Sequence, residues 1–159
     1  MAKQLWLLRH GDAEPHGTRE DHDRKLSDRG REQARAAGAA LAALGFEPTA
    51  VLTSPKVRAR DTAQEACGEL LFKPVEFKPL AGGFDGAAAL DLLGPEHGDR
   101  VLIVGHEPDF SQIVYDLTGA RIDMKKGGVA GIRIGSVRRE LIVLMRPHEL
   151  IEIANRRAS

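Results

Sequence analysis

Three short stretches carry the residues that could do chemistry: Arg9-His10-Gly11, Ser54-Pro55 with Arg58 one helical turn further on, and Gly105-His106. Each follows an apolar run, namely Leu5-Trp6-Leu7-Leu8, Ala50-Val51-Leu52-Thr53 and Val101-Leu102-Ile103-Val104. Together they offer two guanidinium forks, two imidazoles and the backbone amides of the helix starts that follow. That set matches a dianionic phosphoryl group, because arginine grips phosphate oxygens through paired N–H donors and helix N-termini add dipole and further donors. Phosphoryl transfer asks chiefly for positive charge spread over the equatorial oxygens. A carboxylate would also bind, but two forks exceed what it needs.

Elimination leaves His10 as the nucleophile. Cys67 is followed six residues later by Lys73 and not by arginine, so a cysteine-phosphatase loop is missing. Asp21-His22-Asp23 follows no buried strand, which argues against an aspartyl-phosphatase pair, and no G-x-x-x-x-G-K-[ST] loop occurs. A neutral imidazole is a competent nucleophile, and flanking arginines disfavour its protonated form. His106, facing the dianion, is expected to be protonated and to donate to a phosphoryl oxygen. Gly11 is expected to let the backbone turn sharply or approach the phosphate closely. A metal site from His10, His16, His22 and Asp12 is set aside, since the arginines would repel a cation.

The elements that must position these residues follow from the pattern. A continuous apolar run fits a strand buried on both faces, as in a parallel sheet, and such strands deliver the next residues to the carboxyl edge where ligands bind. Residues 29–44 read as a helix with Ser27 as N-cap, Asp28 in its first turn, Gly45 at its end and a small helical penalty at Gly30. Pro55 suits the first turn of a helix over 56–71. A third strand is expected at 75–77, a glycine-rich loop at 80–86, short helices at 87–93 and from Glu107-Pro108 to 117, and a final helix at 147–154. Residues 129–134 and 141–145 flank Gly135-Ser136 as an antiparallel hairpin. The expected fold is a three-layer α/β/α sandwich on a mostly parallel sheet with an antiparallel edge hairpin, formed by residues 1–159 as one domain. Parallel strands would bring His10, Ser54 and His106 to one edge, walled by loops 14–25 and 82–83.

Bulk properties narrow the setting. With 23 basic and 23 acidic residues the 159-residue chain is formally neutral, which argues against nucleic acid as a partner. Arg9 breaks the first apolar run too early for a signal peptide, and no stretch approaches a membrane span, so a cytoplasmic location is expected. The lone Cys67 suits a reducing compartment and reads as helix packing. His16, His22, His97, His148 and the pair Lys125-Lys126 read as solvated surface, and Arg24 either faces the pocket or pairs with a loop carboxylate.

The spaced motifs are also familiar. Leu8-Arg9-His10-Gly11, Ser54-Pro55-x-x-Arg58-Ala59-x-x-Thr62-Ala63 and Val104-Gly105-His106-Glu107-Pro108 resemble the signatures of the histidine phosphatase (phosphoglycerate mutase-like) superfamily. Arg24-Lys25-Leu26-Ser27-x-x-Gly30-x-x-Gln33-Ala34 is similar to the segment after its first loop. The opening Arg9-His10-Gly11-Asp12-Ala13-Glu14-Pro15 resembles the SixA-type phosphohistidine phosphatases in particular. The resemblance implies that His10 is phosphorylated, that Arg9, Arg58 and His106 hold the phosphoryl group, and that no metal or cofactor takes part. Many members carry an acidic proton donor in a mid-chain insertion that this chain is too short to hold. Asp85, Glu14 and Asp12 are the candidates for that role, and none matches the motif. A missing strong acid fits a leaving group that departs readily, such as the imidazole of a phosphohistidine-bearing protein. The rival expectations are a phosphatase of a small phosphorylated metabolite and a non-catalytic phosphoprotein-binding module.

Overall fold

Alternation along the first strand decides the layers. Strand β1 (Lys3–Arg9) sends Leu5 and Leu7 into one apolar cluster and Trp6 and Leu8 into another, and all four are buried. A strand that is apolar on both faces needs cover on both. Strand β4 (Arg100–Gly105) repeats the division, with Val101 and Ile103 on one side and Leu102 and Val104 on the other. This structure, a computed structural model, describes residues 2–158, without the side chains of residues 157 and 158.

Helices α1 (Asp28–Ala43), α2 (Val57–Leu70) and α5 (Pro147–Ala158) cover the Trp6 face, while α3 (Gly86–Leu90) and α4 (Asp109–Thr118) cover the Leu5 face. The alanine-rich sequence of α1 has a packing reason: a Cβ on Gly38 would come within 2.2 Å of the Ala66 carbonyl oxygen of α2, so only small residues allow this approach. With β2 (Ala50–Thr53), β3 (Val75–Glu76), β5 (Val129–Ile134) and β6 (Arg139–Met145), the sheet runs β3-β2-β4-β1-β5-β6. The first four strands are mutually parallel, and β5 and β6 form the antiparallel edge. The result is a three-layer α/β/α sandwich. Among the described residues no helix is long and apolar enough to cross a membrane.

Several boundaries differ from the sequence reading. Helix α2 begins at Val57 with Lys56 as its N-cap, so Pro55 precedes the helix instead of opening its first turn. Helix α3 stops at Leu90, and the buried Leu92 and Leu93 follow it in a turn. The polar loop after β1 holds a 3-10 turn at Asp21–Asp23, and a second one spans Lys78–Ala81.

Register brings the strand ends level. Arg9 pairs with Gly105 across β1 and β4, and Thr53 pairs with Val104 across β2 and β4. One residue further on, the His10 N–H donates to the Gly105 carbonyl at 3.0 Å and the Ser54 N–H to the Val104 carbonyl at 2.9 Å. The three chemistry-bearing stretches therefore meet at one sheet edge.

Candidate active site

At that edge the His10 and His106 rings lie 5.3 Å apart, centroid to centroid, at the floor of a cavity of about 480 Å³. Arg9 and Arg58 line the same cavity, joined by Arg24, Lys56 and Lys126. Five cations against the carboxylates of Glu14, Glu107 and Asp109 make this a place for an anion.

Each functional side chain is held by local geometry. The Nδ1–H of His10 donates to the Gly11 carbonyl at 2.7 Å, and because a carbonyl only accepts, the lone pair sits on Nε2. Burial, then Arg58, Arg9 and Lys126, drive the His10 pKa down to about 3 against the opposing Gly11 bond, so the ring is neutral at pH 7. Arg9 is anchored through Nη1 to the Met124 carbonyl at 2.8 Å, and Arg58 through Nη1 to the Asp21 carbonyl at 2.8 Å. The Asp21 carboxylate also reaches Arg58, Lys56 and Arg24; burial alone would raise its pKa, but these cations outweigh that and hold it at about 2. Arg24 does both things left open by its sequence, lining the cavity while bonding Asp21 and the Glu14 carbonyl.

The buried side-chain polar atoms without a hydrogen-bond partner, among the described residues, are Arg9 Nε, Arg58 Nε and His106 Nδ1. Unpaired buried donors of this kind call for an explanation, since each costs desolvation free energy on its own. All three belong to residues around this one cavity.

The expectation of a protonated His106 concerns the ring facing a dianion. Burial first, then His10, Arg58 and Lys56, lower its pKa to about 3, so it is neutral and not protonated in this structure. Its Nε2 meets Ser54 Oγ at 2.8 Å. Both imidazoles thus have depressed values when folded and the ordinary 6.5 when unfolded. Between pH 6.5 and 3 the unfolded chain binds more protons, so stability is complete above pH 6.5 and falls as the pH drops. Each histidine is expected to contribute a slope of about 1.4 kcal/mol per pH unit. Urea unfolding between pH 6.5 and 5 should show this slope, and His10→Asn should remove about half of it. An unchanged slope would contradict the assignment.

Gly11 serves the site in another way than expected. Its N–H donates to Thr62 Oγ1 at 3.1 Å, so that amide is not free for a phosphate oxygen. Its lack of a side chain matters instead for packing, because a Cβ there would lie 2.6 Å from the Gly30 carbonyl oxygen of α1. The loop after His10 is thus pressed onto the start of α1, where Gln33 Oε1 accepts the Asp12 N–H at 2.9 Å and Ser27 Oγ donates to Asp12 Oδ2 at 2.7 Å.

The proton-donor candidates do not survive the geometry. Asp85 caps α3, accepting the Ala88 N–H at 2.9 Å, and does not line the cavity. Glu14 lines it, but hydrogen bonds from Arg19 and the Lys25 N–H lower its pKa to about 2, so it carries no proton to give. Asp12 faces an adjoining cavity, tied to Ser27 and Lys126. Cys67 is no rival nucleophile, since burial pushes its thiol up to about 12.

Sequence reasoning missed Lys56, Lys126, Glu107 and Asp109 as cavity residues, and read His16 as plain surface although it stands on the rim. Lys56 and Asp109 carried a signal, each lying within three residues of a site residue at a helix start. Lys126 carried none, because the turn beneath the site is closed by Gly127 N–H bonds to the Arg9 and His10 carbonyls. The loops 14–16 and 82–83 do wall the cavity. His97 is not plain surface either, packing edge-on against Phe77 at 6.5 Å.

Comparison with known proteins agrees with this arrangement. Residues 5–80 match the family model of the histidine phosphatase superfamily (branch 1). The chain is 34% identical over 163 residues to an uncharacterized protein of Picosynechococcus sp., covering 93% of this chain and 99% of that one. It is also 34% identical over 123 residues to the mitochondrial serine/threonine-protein phosphatase Pgam5 of Drosophila persimilis, covering 77% of this chain but 38% of that protein. Among solved structures, the protein histidine phosphatase SixA complexed with tungstate superposes with a TM-score of 0.82 at 25% identity, covering 92% of this chain and 99% of that one.

Proposed function

Because this chain belongs to the histidine phosphatase superfamily and is a phosphatase, we propose that it works through a phosphorylated His10 and removes phosphate from a phosphohistidine in a protein. The observation that carries the reading is the convergence on one cavity of a neutral His10, whose Nε2 lone pair is free, with the three unpaired donors of Arg9, Arg58 and His106.

The chemistry runs in two steps. His10 Nε2 attacks phosphorus as the bond to the leaving group breaks, and water then cleaves the N–P bond. Arg9 and Arg58 hold the non-bridging oxygens, and His106 Nδ1 faces them as a third donor once Ser54 Oγ–H donates to Nε2. Metal independence belongs to the proposal, supported by the five cavity cations, which disfavour a divalent ion. The structure of the protein histidine phosphatase SixA is complexed with tungstate, an oxyanion of the same tetrahedral kind as phosphate, and this supports the substrate class. The short walls at Gly82 and Gly83 leave room for a phosphoryl group borne on a protein. A cytoplasmic location fits Cys67, which is buried as a free thiol.

Brief exposure to a protein labelled on histidine with radioactive phosphate, followed by alkaline quench, is expected to leave an alkali-stable, acid-labile label on residue 10. Label on another residue, or turnover with no label at any time, would contradict the pathway. Faster turnover of phosphoserine or sugar phosphates than of phosphohistidine would favour the small-metabolite reading instead.

A further inference from the structure

The proposed phosphatase reading leaves the leaving group without an acid, and the cavity walls supply one that sequence reasoning missed. We propose that Asp109 donates the proton to the departing atom of ester substrates and, in the second step, takes the proton from the attacking water. The inference rests on that phosphatase reading and adds the residue that lets the same site act on less activated phosphate esters.

Three carboxylates line the cavity among the described residues, and two are fully engaged. Glu14 is held by Arg19 and the Lys25 N–H. Glu107 spends both oxygens on Ser111, one on its N–H and one on its hydroxyl. Asp109 differs. Its Oδ2 accepts the Phe84 N–H at 3.1 Å, while Oδ1 has no hydrogen-bond partner among the described residues. The residue is half-buried at the start of α4, three positions after His106, and its bond to Phe84 ties it to the glycine-rich loop. Gly82 and Gly83 of that loop line the cavity beside it without side chains of their own. Asp109 therefore lines the same cavity as His10 and the cations and has a carboxylate oxygen to spare.

The steps balance. The His10 Nε2 lone pair forms the N–P bond as the P–O bond breaks, and its electron pair leaves on oxygen together with the proton from Asp109. Water then forms the new O–P bond, its proton returns to the Asp109 carboxylate, and the N–P pair returns to Nε2. A phosphoramidate needs less of this help, because its nitrogen is basic enough to leave already protonated.

The test is Asp109→Asn, which keeps the size and the acceptor for the Phe84 N–H, assayed on phenyl phosphate and on 2,4-dinitrophenyl phosphate. General acid catalysis typically contributes 10²–10⁴-fold, so the burst rate of phenol release from phenyl phosphate is expected to fall by about 10²-fold or more, with a roughly parental burst rate of dinitrophenol release. Equal losses in the burst rates on both esters would make Asp109 a mere support for the Phe84 loop and overturn the proposal. So would no loss on either, or a parent enzyme that turns over phosphohistidine and neither ester. Failure of the phosphatase reading itself would look different, with His10→Ala keeping the parent rate on every substrate.

Discussion

Replacing His10 by alanine is expected to lower kcat by about 10⁴-fold or more on every phosphorylated substrate, because removing a nucleophile removes a whole pathway and not one interaction. No neighbour can substitute. His106 is turned toward Ser54 through Nε2, and the Cys67 thiol lies between helices with its pKa near 12. The fold should persist, since among the described residues the one side-chain hydrogen bond of His10 goes to the carbonyl of the next residue. Anion binding should persist as well, because Arg9 and Arg58 are anchored by the Met124 and Asp21 carbonyls and not by His10. Calorimetric titration with inorganic phosphate, a ground-state oxyanion, should give a Kd within roughly tenfold of the parent, as expected when only transition-state interactions are lost. Parental kcat in this variant would remove His10 from the mechanism. A parent protein that binds phosphate but turns over nothing would instead favour the non-catalytic binding module.

The second large effect concerns stability. Helix propensity alone says that Gly30→Ala should stabilise α1 by about 1 kcal/mol. The packing says the opposite, because the new Cβ would sit 1.9 Å from the Asp12 carbonyl oxygen and 2.9 Å from its carbon. Both are backbone atoms of the loop that follows His10, so relief requires moving that loop or the helix. Overpacking of this severity is expected to cost about 3 kcal/mol or more and to lower turnover with it. Urea unfolding would check the sign, and a midpoint equal to or above the parent would refute the contact. The same argument explains Gly11, whose Cβ would meet the Gly30 carbonyl from the other side.

Much of this site was legible without coordinates. The runs Leu5-Trp6-Leu7-Leu8 and Val101-Leu102-Ile103-Val104 are apolar at every position, which only a strand covered on both faces explains, and that in turn implies parallel pairing and level strand ends. Ser27 was readable as a cap because its hydroxyl accepts the N–H of a residue three positions away. Gly30 was misjudged for the complementary reason. Its role depends on Asp12, a residue far along the chain that no local pattern relates to it.

What the amino-acid sequence determined by itself, then, is the layered sheet, the convergence of Arg9, His10, Arg58 and His106, and the kind of anion they suit, since each follows from residue type and short-range spacing. Tertiary structure alone decided which of the polar groups gathered there are already spent. The Gly11 amide goes to Thr62, Glu14 to Arg19, Asp85 to its own helix, and one oxygen of Asp109 is left over. A hydrogen bond depends on a separation of about 3 Å between atoms, and chains folded around a sheet set such separations by packing and not by their order.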